Sequence, residues 1–341
     1  MLAGSNAALI GATYQNGAWA TTALNDSTPS GIPDLSITMD SGGNGVGVYA
    51  SASSNPVNQV GFTTWSGNSW TTAALIPGAY VTRSEPTVDA TGSATAYALF
   101  QDPTLYSFYS LTFDGVTWSS ATQLMSGSSY DYGPQGASIA AVTGGAVAGF
   151  IDGRDGNATA DAVYSGGAWG SVFDITGVYG EDTNVPAVVI PLDGGGASPE
   201  LMMVWNDGAS PQQIDYATGT GSTWSSGQQI PTCLTNDRVG LAPLPGGGAI
   251  LAFAGTDGNL YWTTYSEASG WAAVLPLSST GQTATDTTPA VTHGINGDIA
   301  EMVYLSGGHP VFSSLTASGW SSPRLVNTSM GLTGVAIASA P

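Results

Sequence analysis

The sequence predicts an all-β chain folded as a single seven-bladed β-propeller domain over residues 1–341, with four antiparallel strands per blade. Three observations predict it. A tryptophan recurs at a steady spacing, a second aromatic ladder runs out of phase with the first, and the two ends supply complementary parts of one repeat.

The first ladder is Trp19, Trp70, Trp118, Trp169, Trp224, Trp271 and Trp320, with successive spacings of 51, 48, 51, 55, 47 and 49 residues. A glycine stands one to three residues before each, and an apolar or aromatic residue such as Tyr14, Trp65, Phe113, Tyr164, Tyr265 or Leu315 stands five or six residues before most of them. Strand, glycine turn, strand is the reading that fits. The second ladder is Tyr49, Phe100, Phe150, Trp205, Phe253 and Tyr304. Each residue closes a short apolar run, and a Gly-rich turn precedes each run. A further extended piece, often opened by proline, precedes each turn; proline is tolerated at the first residue of a strand, where a missing N–H costs least.

One repeat therefore carries strands A to D, counted from the propeller axis outward. Four strands in about fifty residues is the period of radial β architectures. Helical solenoids would need uninterrupted 3.6-periodic stretches, and none is present. The opening segment, residues 2–19, aligns with 253–271 and so begins inside a strand B. The closing segment, 334–341, aligns with 136–145 and reads as a strand A. The ring is expected to close by pairing this C-terminal strand A with the N-terminal strand B, which removes two free edges.

Composition narrows the function. Charged residues make up 8% of the chain, against roughly 25% in a typical soluble domain. Four arginines, no lysine and a formal charge of −20 exclude a nucleic-acid binder, which must neutralise phosphates, and disfavour anionic membrane surfaces. No apolar run is long enough to insert into a membrane. The single Cys233 excludes an intramolecular disulfide, and with only two histidines it offers no zinc cluster. Residues 1–20 lack the basic start and unbroken apolar stretch of an export leader, so the expected extracellular or cell-surface location would depend on a signal outside this chain.

The glycine–tryptophan turn resembles the Asp-box of sialidase-like propellers and the turns of propeller lectins. Its fullest form is Thr112–Trp118, "TFDGVTW". The aspartate is displaced by one: Phe113 stands five residues before the tryptophan, and Asp114 follows it. The resemblance implies a propeller without singling out one activity.

In that architecture the D-to-A and B-to-C loops gather around one mouth of the central channel. Here those loops are long and polar, whereas the A-to-B turns are mostly glycine. The ligand-binding candidates are Tyr80, Arg83, Glu85, Tyr130, Asp131, Tyr132, Tyr179, Glu181, Asp182, Asp237, Arg238 and Asp286. Tyrosines offer ring faces to the apolar side of a sugar, and the adjacent acids and arginines offer partners for its hydroxyls. Asp152, Asp155 and Asn157 supply oxygen ligands for a hard cation in "IDGRDGN", although without EF-hand spacing. No cofactor is expected, with calcium the one ion left open.

No catalytic residue is assigned. Sialidase chemistry would need three converging arginines from a supply of four. The leading reading is a non-enzymatic, lectin-like binder of carbohydrate or another cell-surface ligand. The alternatives are a glycoside hydrolase or lyase using carboxylates of the central funnel, and a protein-interaction module of a larger exported protein. Repeated pockets between blades would favour the lectin, one deep asymmetric central pocket the enzyme, and a broad apolar patch the interaction module. Oligomeric state is not legible.

Overall fold

The computed structural model describes residues 2–4, 9–15, 17–24, 35–51, 58–78, 80–82, 84–91, 95–103, 107–126, 137–152, 158–179, 185–192, 200–207, 211–235, 237–277, 288–326 and 332–339. The described strands form seven antiparallel sheets. Strands A, B and C of the second to seventh sheets are Leu35–Met39, Gly45–Ser51 and Asn58–Ser66; Thr87–Thr91, Thr95–Gln101 and Phe108–Phe113; Ala137–Val142, Gly145–Asp152 and Ala158–Ser165; Val188–Pro191, Leu201–Asn206 and Gln212–Gly219; Gly240–Leu244, Gly248–Ala254 and Leu260–Ser266; Ala290–His293, Ala300–Ser306 and His309–Thr316. The first sheet joins the two ends of the chain. Strand Leu332–Val335 pairs with Leu2–Gly4, which pairs with Leu9–Gln15 and then Ala18–Ala23.

The glycine before each ladder tryptophan has a conformational cause. Gly17, Gly67, Gly115, Gly167, Gly221, Gly270 and Gly319 all have φ between 58° and 107°, the left-handed region that side chains resist. The outer strand differs from the continuous element that the sequence suggests. Ser69–Trp70, Gly270–Trp271 and Gly319–Trp320 each pair for two residues, leave the ladder, and pair again with the same strand C at Ala74–Leu75, Leu275–Pro276 and Arg324–Leu325. The break is held by strand C. Hydroxyls of Thr63, Thr263 and Ser313 donate to the carbonyls of Thr71, Ala272 and Ser321 at 2.8, 2.9 and 2.8 Å.

Each ladder tryptophan packs on strand C of the preceding sheet, three residues before the residue of that strand that faces the preceding sheet's own tryptophan. Trp19 meets Phe312 edge-on at 5.3 Å, Trp118 meets Phe62 at 5.7 Å, Trp271 meets Tyr216 at 5.7 Å and Trp320 meets Trp262 at 5.9 Å. The Trp169 indole N–H donates to Ser110 at 2.8 Å, and Trp224 faces Asp161. Trp70 lies against Gly11, where a Cβ would fall 2.6 Å from the indole. Residues three apart on a strand face opposite sides. Each strand C therefore turns one residue to the sheet before and another to the sheet after.

The second ladder is core. Tyr49, Phe100, Phe150, Trp205, Phe253 and Tyr304 are all buried. Innermost, small polar side chains stitch the A strands together. Ser36 Oγ accepts from Val88 N at 3.2 Å, Thr38 Oγ1 donates to Asp89 at 3.0 Å, Asp89 accepts from Ala141 N at 2.8 Å, and Ser138 Oγ accepts from Val189 N at 2.7 Å. Ser339, beyond the last strand, donates to the His293 carbonyl at 2.8 Å.

Candidate ligand-binding site

The A strands of the second to seventh sheets surround a central channel of about 670 Å³, and Ile337, Ala338 and Ser339, beyond strand A of the first sheet, complete its wall. Asp89 is the one carboxylate among the described residues that line it. Burial holds its carboxyl above the usual carboxylate range, against the opposing effect of hydrogen bonds from Ala141, Ala90 and Thr38. Both oxygens are engaged by these three donors. Asp89 therefore ties three sheets together, and among the described residues that line the channel no second carboxylate stands beside it.

One ion pair spans the D-to-A end of the channel. Glu85, just before strand A of the third sheet, pairs with Arg238, just before strand A of the sixth. These sheets are not neighbours, and Arg238 lines the channel. Both residues belong to the D-to-A loops expected at this mouth, and the fold brings them together. Asp237 lies beside Arg238, and its carbonyl accepts from Asn206 Nδ2 at 3.1 Å.

Tyr80 is placed differently from a free ring face. Its hydroxyl accepts from Ala121 N at 2.9 Å and its ring packs on Phe100 at 5.5 Å, so it joins the second and third sheets. Tyr179 ends the strand Phe173–Tyr179, and its side chain is outside the described residues. Arg83, Tyr130, Asp131, Tyr132, Glu181, Asp182 and Asp286 are also outside them, as are Asp155 and Asn157 of the candidate cation loop. Asp152 is buried at the end of its strand. Among the described residues no cluster of three or more His, Cys, Asp or Glu could hold a metal.

The other described cavities lie at the opposite end, among the A-to-B and C-to-D turns. One, of about 190 Å³ between the second and third sheets, is lined by Asp40, Asn44, Thr64, Trp65, Thr95 and Phe113, among others. Asp40 accepts from Gly42 N and Asn44 N at 2.8 Å each and from Asn44 Nδ2 at 3.1 Å. The Asn44 amide is thereby fixed beside an aromatic wall. A second cleft, of about 320 Å³ between the fourth and fifth sheets, is lined by Thr143, Tyr164, Ser165, Thr220 and Ser222, among others. A third, of about 220 Å³, flanks the first sheet and contains Tyr14, Trp19, Trp65 and Trp70. Sequence reasoning gave these glycine-rich turns no role, because the residues of each cleft come from two repeats about fifty positions apart.

Several acids are buried rather than displayed. Desolvation pushes Asp161 up to about 7 and Asp215 to about 6, each also raised by a neighbouring acid. Glu301 is pushed up to about 7 by burial, with Asp298 adding to it. Cys233 is buried and its thiol is pushed up to about 12, the opposite of an activated thiolate. In the turn that suggested an Asp-box, Asp114 accepts from Thr117 N at 2.7 Å and Val116 N at 2.9 Å, which holds its carboxyl below its ordinary range. It caps its own turn.

No protein-family model matches this chain, and no curated protein matches it in sequence. Solved structures are similar to it. BP39L lectin from Burkholderia pseudomallei superposes with a TM-score of 0.74 at 15% identity, over 95% of this chain and 94% of that one. AofleA from Arthrobotrys oligospora gives 0.60 at 9% identity, over 90% of both chains. The fucose-recognising fungal lectin of Aleuria aurantia, a six-bladed propeller, gives 0.50 at 15%, over 78% of this chain and 86% of that one. These similarities lend the Asp-box resemblance no support. At such identities they show the fold: the chain is an all-β propeller built of antiparallel sheets.

Proposed function

We propose that this chain is a non-enzymatic, carbohydrate-binding propeller, that its seven sheets are seven blades of one closed ring, and that sugar is held in clefts between blades. The observation that carries the reading is the recurrence of those clefts. Two lie at equivalent places between adjacent sheets, each pairing an aromatic wall (Trp65 and Phe113, or Tyr164) with hydroxyl and amide groups. A mostly apolar wall with a few fixed polar groups is the usual make-up of a small-molecule site. The blade count rests on seven sheets, each built on an A-B-C-D path of four strands, and on the unbroken succession of tryptophan contacts from each sheet to the one before. Lectins among the structural neighbours favour a sugar, and a fucoside first. An acidic, arginine-poor surface suits a neutral ligand and an extracellular setting. Tyr130, Tyr132 and Tyr179 of the D-to-A loops offer a second sugar-binding face, and the loop around Asp152 a calcium site.

A glycan array probed with calcium and again with chelator tests this. Binding to fucosylated glycans is expected, with Asn44→Ala and Tyr164→Ala each weakening it at least about ten-fold, the loss of one well-placed interaction. Loss on Tyr130→Ala instead would move the site to the loop face, and chelator sensitivity would add the metal. A blank array in both conditions would sink the reading.

A further inference from the structure

The two equivalent clefts between blades differ in the turn that walls them. In the second sheet Met39 pairs with Gly45, so the A-to-B turn spans residues 40–44. In the fourth sheet Val142 pairs with Gly145, and the turn is Thr143 and Gly144 alone. The longer turn is closed from within. Asp40 N donates to the Asn44 carbonyl at 2.8 Å, and Gly43 N to the Asp40 carbonyl at 3.0 Å. Asp40 Oδ1 accepts from Gly42 N and Asn44 N at 2.8 Å each. These bonds already cap the turn. The Asn44 side chain adds a further contact: its Nδ2 donates to Asp40 Oδ2 at 3.1 Å and reaches Oδ1 at 3.4 Å. An amide turned the other way would set its carbonyl against the carboxylate, so this contact fixes which end faces outward. That end is the oxygen. Asp40 is buried, Asn44 is exposed, and both line the cleft of about 190 Å³ beside Trp65 and Phe113.

We propose, as a step that rests on the carbohydrate reading of these clefts, that Asp40 is the positioning residue that sets the polarity of this one. The cleft takes sugars that present hydroxyl or ammonium donors to Asn44 and refuses sugars that carry a carboxylate. The outward oxygen of Asn44 can only accept a hydrogen bond, and the Asp40 carboxylate stands behind it. Among the described residues that line this cleft, no Lys, Arg or His offers a cation to an acid. A ligand carboxylate would give up its water, find no donor on the amide and meet a like charge; specificity of this kind is built by repulsion as much as by attraction. The cleft between the fourth and fifth sheets is the comparison. Both clefts carry hydroxyls, Thr64 and Thr95 in one and Thr143, Ser165 and Thr220 in the other, and a hydroxyl serves donors and acceptors alike. No acid is among the described residues that line the second cleft. Both sit in one molecule of formal charge −20. A difference in how they treat acids therefore comes from Asp40 and Asn44 rather than from net charge.

The probes are three array termini on one linker: α-fucose, the same ring with an amine at C2, and the same ring with a carboxylate in place of its C6 methyl. Tyr164→Ala leaves the Asn44 cleft to report, and Asn44→Ala leaves the Tyr164 cleft. The Tyr164→Ala form is expected to hold the neutral and amino termini at least about ten-fold more tightly than the acid, and the Asn44→Ala form to separate them by less than about three-fold. Asp40→Asn keeps one oxygen for the Gly42 and Asn44 N–H groups and puts an N–H donor in place of the other. The Asn44 amide then turns over and shows its own N–H to the cleft. Combined with Tyr164→Ala, this change is expected to bring the acid within about three-fold of fucose. A merely structural Asp40 would weaken all three termini alike. Four results overturn the proposal: no binding at all by the Tyr164→Ala form, equal binding of acid and fucose by that form, a ratio unchanged by Asp40→Asn, and a uniform loss on Asp40→Asn. A blank array from the unsubstituted chain sinks the carbohydrate reading and this selectivity with it, whereas fucose binding without discrimination against the acid sinks the selectivity alone.

Discussion

Asp161 occupies a position that carries an aromatic ring in four of the other sheets, a serine in one and a glycine in another. Its carboxylate is fully buried, with no hydrogen-bond partner for either oxygen, although the Trp224 N–H lies close enough to favour the charge. An acid raised from 3.8 to about 7 binds its proton more tightly in the folded than in the unfolded state. Its contribution to stability is whole below about pH 4 and is lost as pH rises through 7, an upper limit of about 4 kcal/mol. Glu301, raised to about 7 by burial, acts in the same direction. The chain is therefore expected to be more resistant to urea at pH 5 than at pH 8. Asp161→Ser, which copies Ser110 beneath Trp169, is expected to raise stability at pH 8 by about 2 kcal/mol and to flatten the slope between pH 4 and 7. Denaturant melts at the two pH values decide it; an unchanged slope would mean that Asp161 is ionised and solvated in the fold. Nothing in the local sequence "ATADAVYS" sets this aspartate apart from the exposed acids, because its burial comes from a tryptophan 63 residues away.

The tryptophan turn shows what could be read from the sequence at the level of the element. The period and the glycine announced strand, turn and strand, because each of these turns takes a residue through positive φ within the three positions before the tryptophan, and glycine does so at least cost. The second ladder announced the core of strand B, where Phe150 and Trp205 are fully buried. The break after each tryptophan was not legible, since it depends on a hydroxyl of strand C reaching the carbonyl of a different strand. Nor was the partner of each tryptophan, which varies from Phe62 to Ser110 to Gly11. That variation gives an element-scale test. Trp118→Ala removes a ring wedged between Phe62 and Phe113 and is expected to cost about 3–5 kcal/mol. Gly11→Ala places a Cβ against the rigid Trp70 indole at 2.6 Å; overpacking of this kind costs about 1–3 kcal/mol. Adding Trp70→Leu to Gly11→Ala should recover part of that loss. A double-mutant cycle reads the coupling, and strict additivity would mean that the two residues do not touch.

Across the whole molecule, closure and the channel follow from interactions between parts distant in sequence. The pairing of Leu332–Val335 with Leu2–Gly4 was legible, because the two ends align with complementary strands of the repeat. The loop face was legible only as polar loops. Of its twelve candidate residues, the structure describes the side chains of Tyr80, Glu85, Asp237 and Arg238, and it ties Tyr80 into packing and Glu85 to Arg238. That ion pair joins residues 153 positions apart, and no local pattern marks either as the other's partner. It matters more here than in an ordinary protein, because four arginines face 24 acids, so losing Arg238 leaves Glu85 in a field of like charge. Both side chains keep some contact with solvent, 18% and 28% exposed, so the pair is expected to contribute about 1 kcal/mol. Glu85→Gln and Arg238→Met should each lower stability by about that amount at low salt, and the double variant should lose little more than either alone. In 1 M NaCl, where the screening length is about 3 Å, most of the coupling should vanish. Coupling that survived high salt would assign the contact to packing across the channel mouth rather than to charge, and the same melts repeated with Arg238→Lys would separate the two. Lysine keeps the charge and gives up the planar fork that arginine presents to a carboxylate.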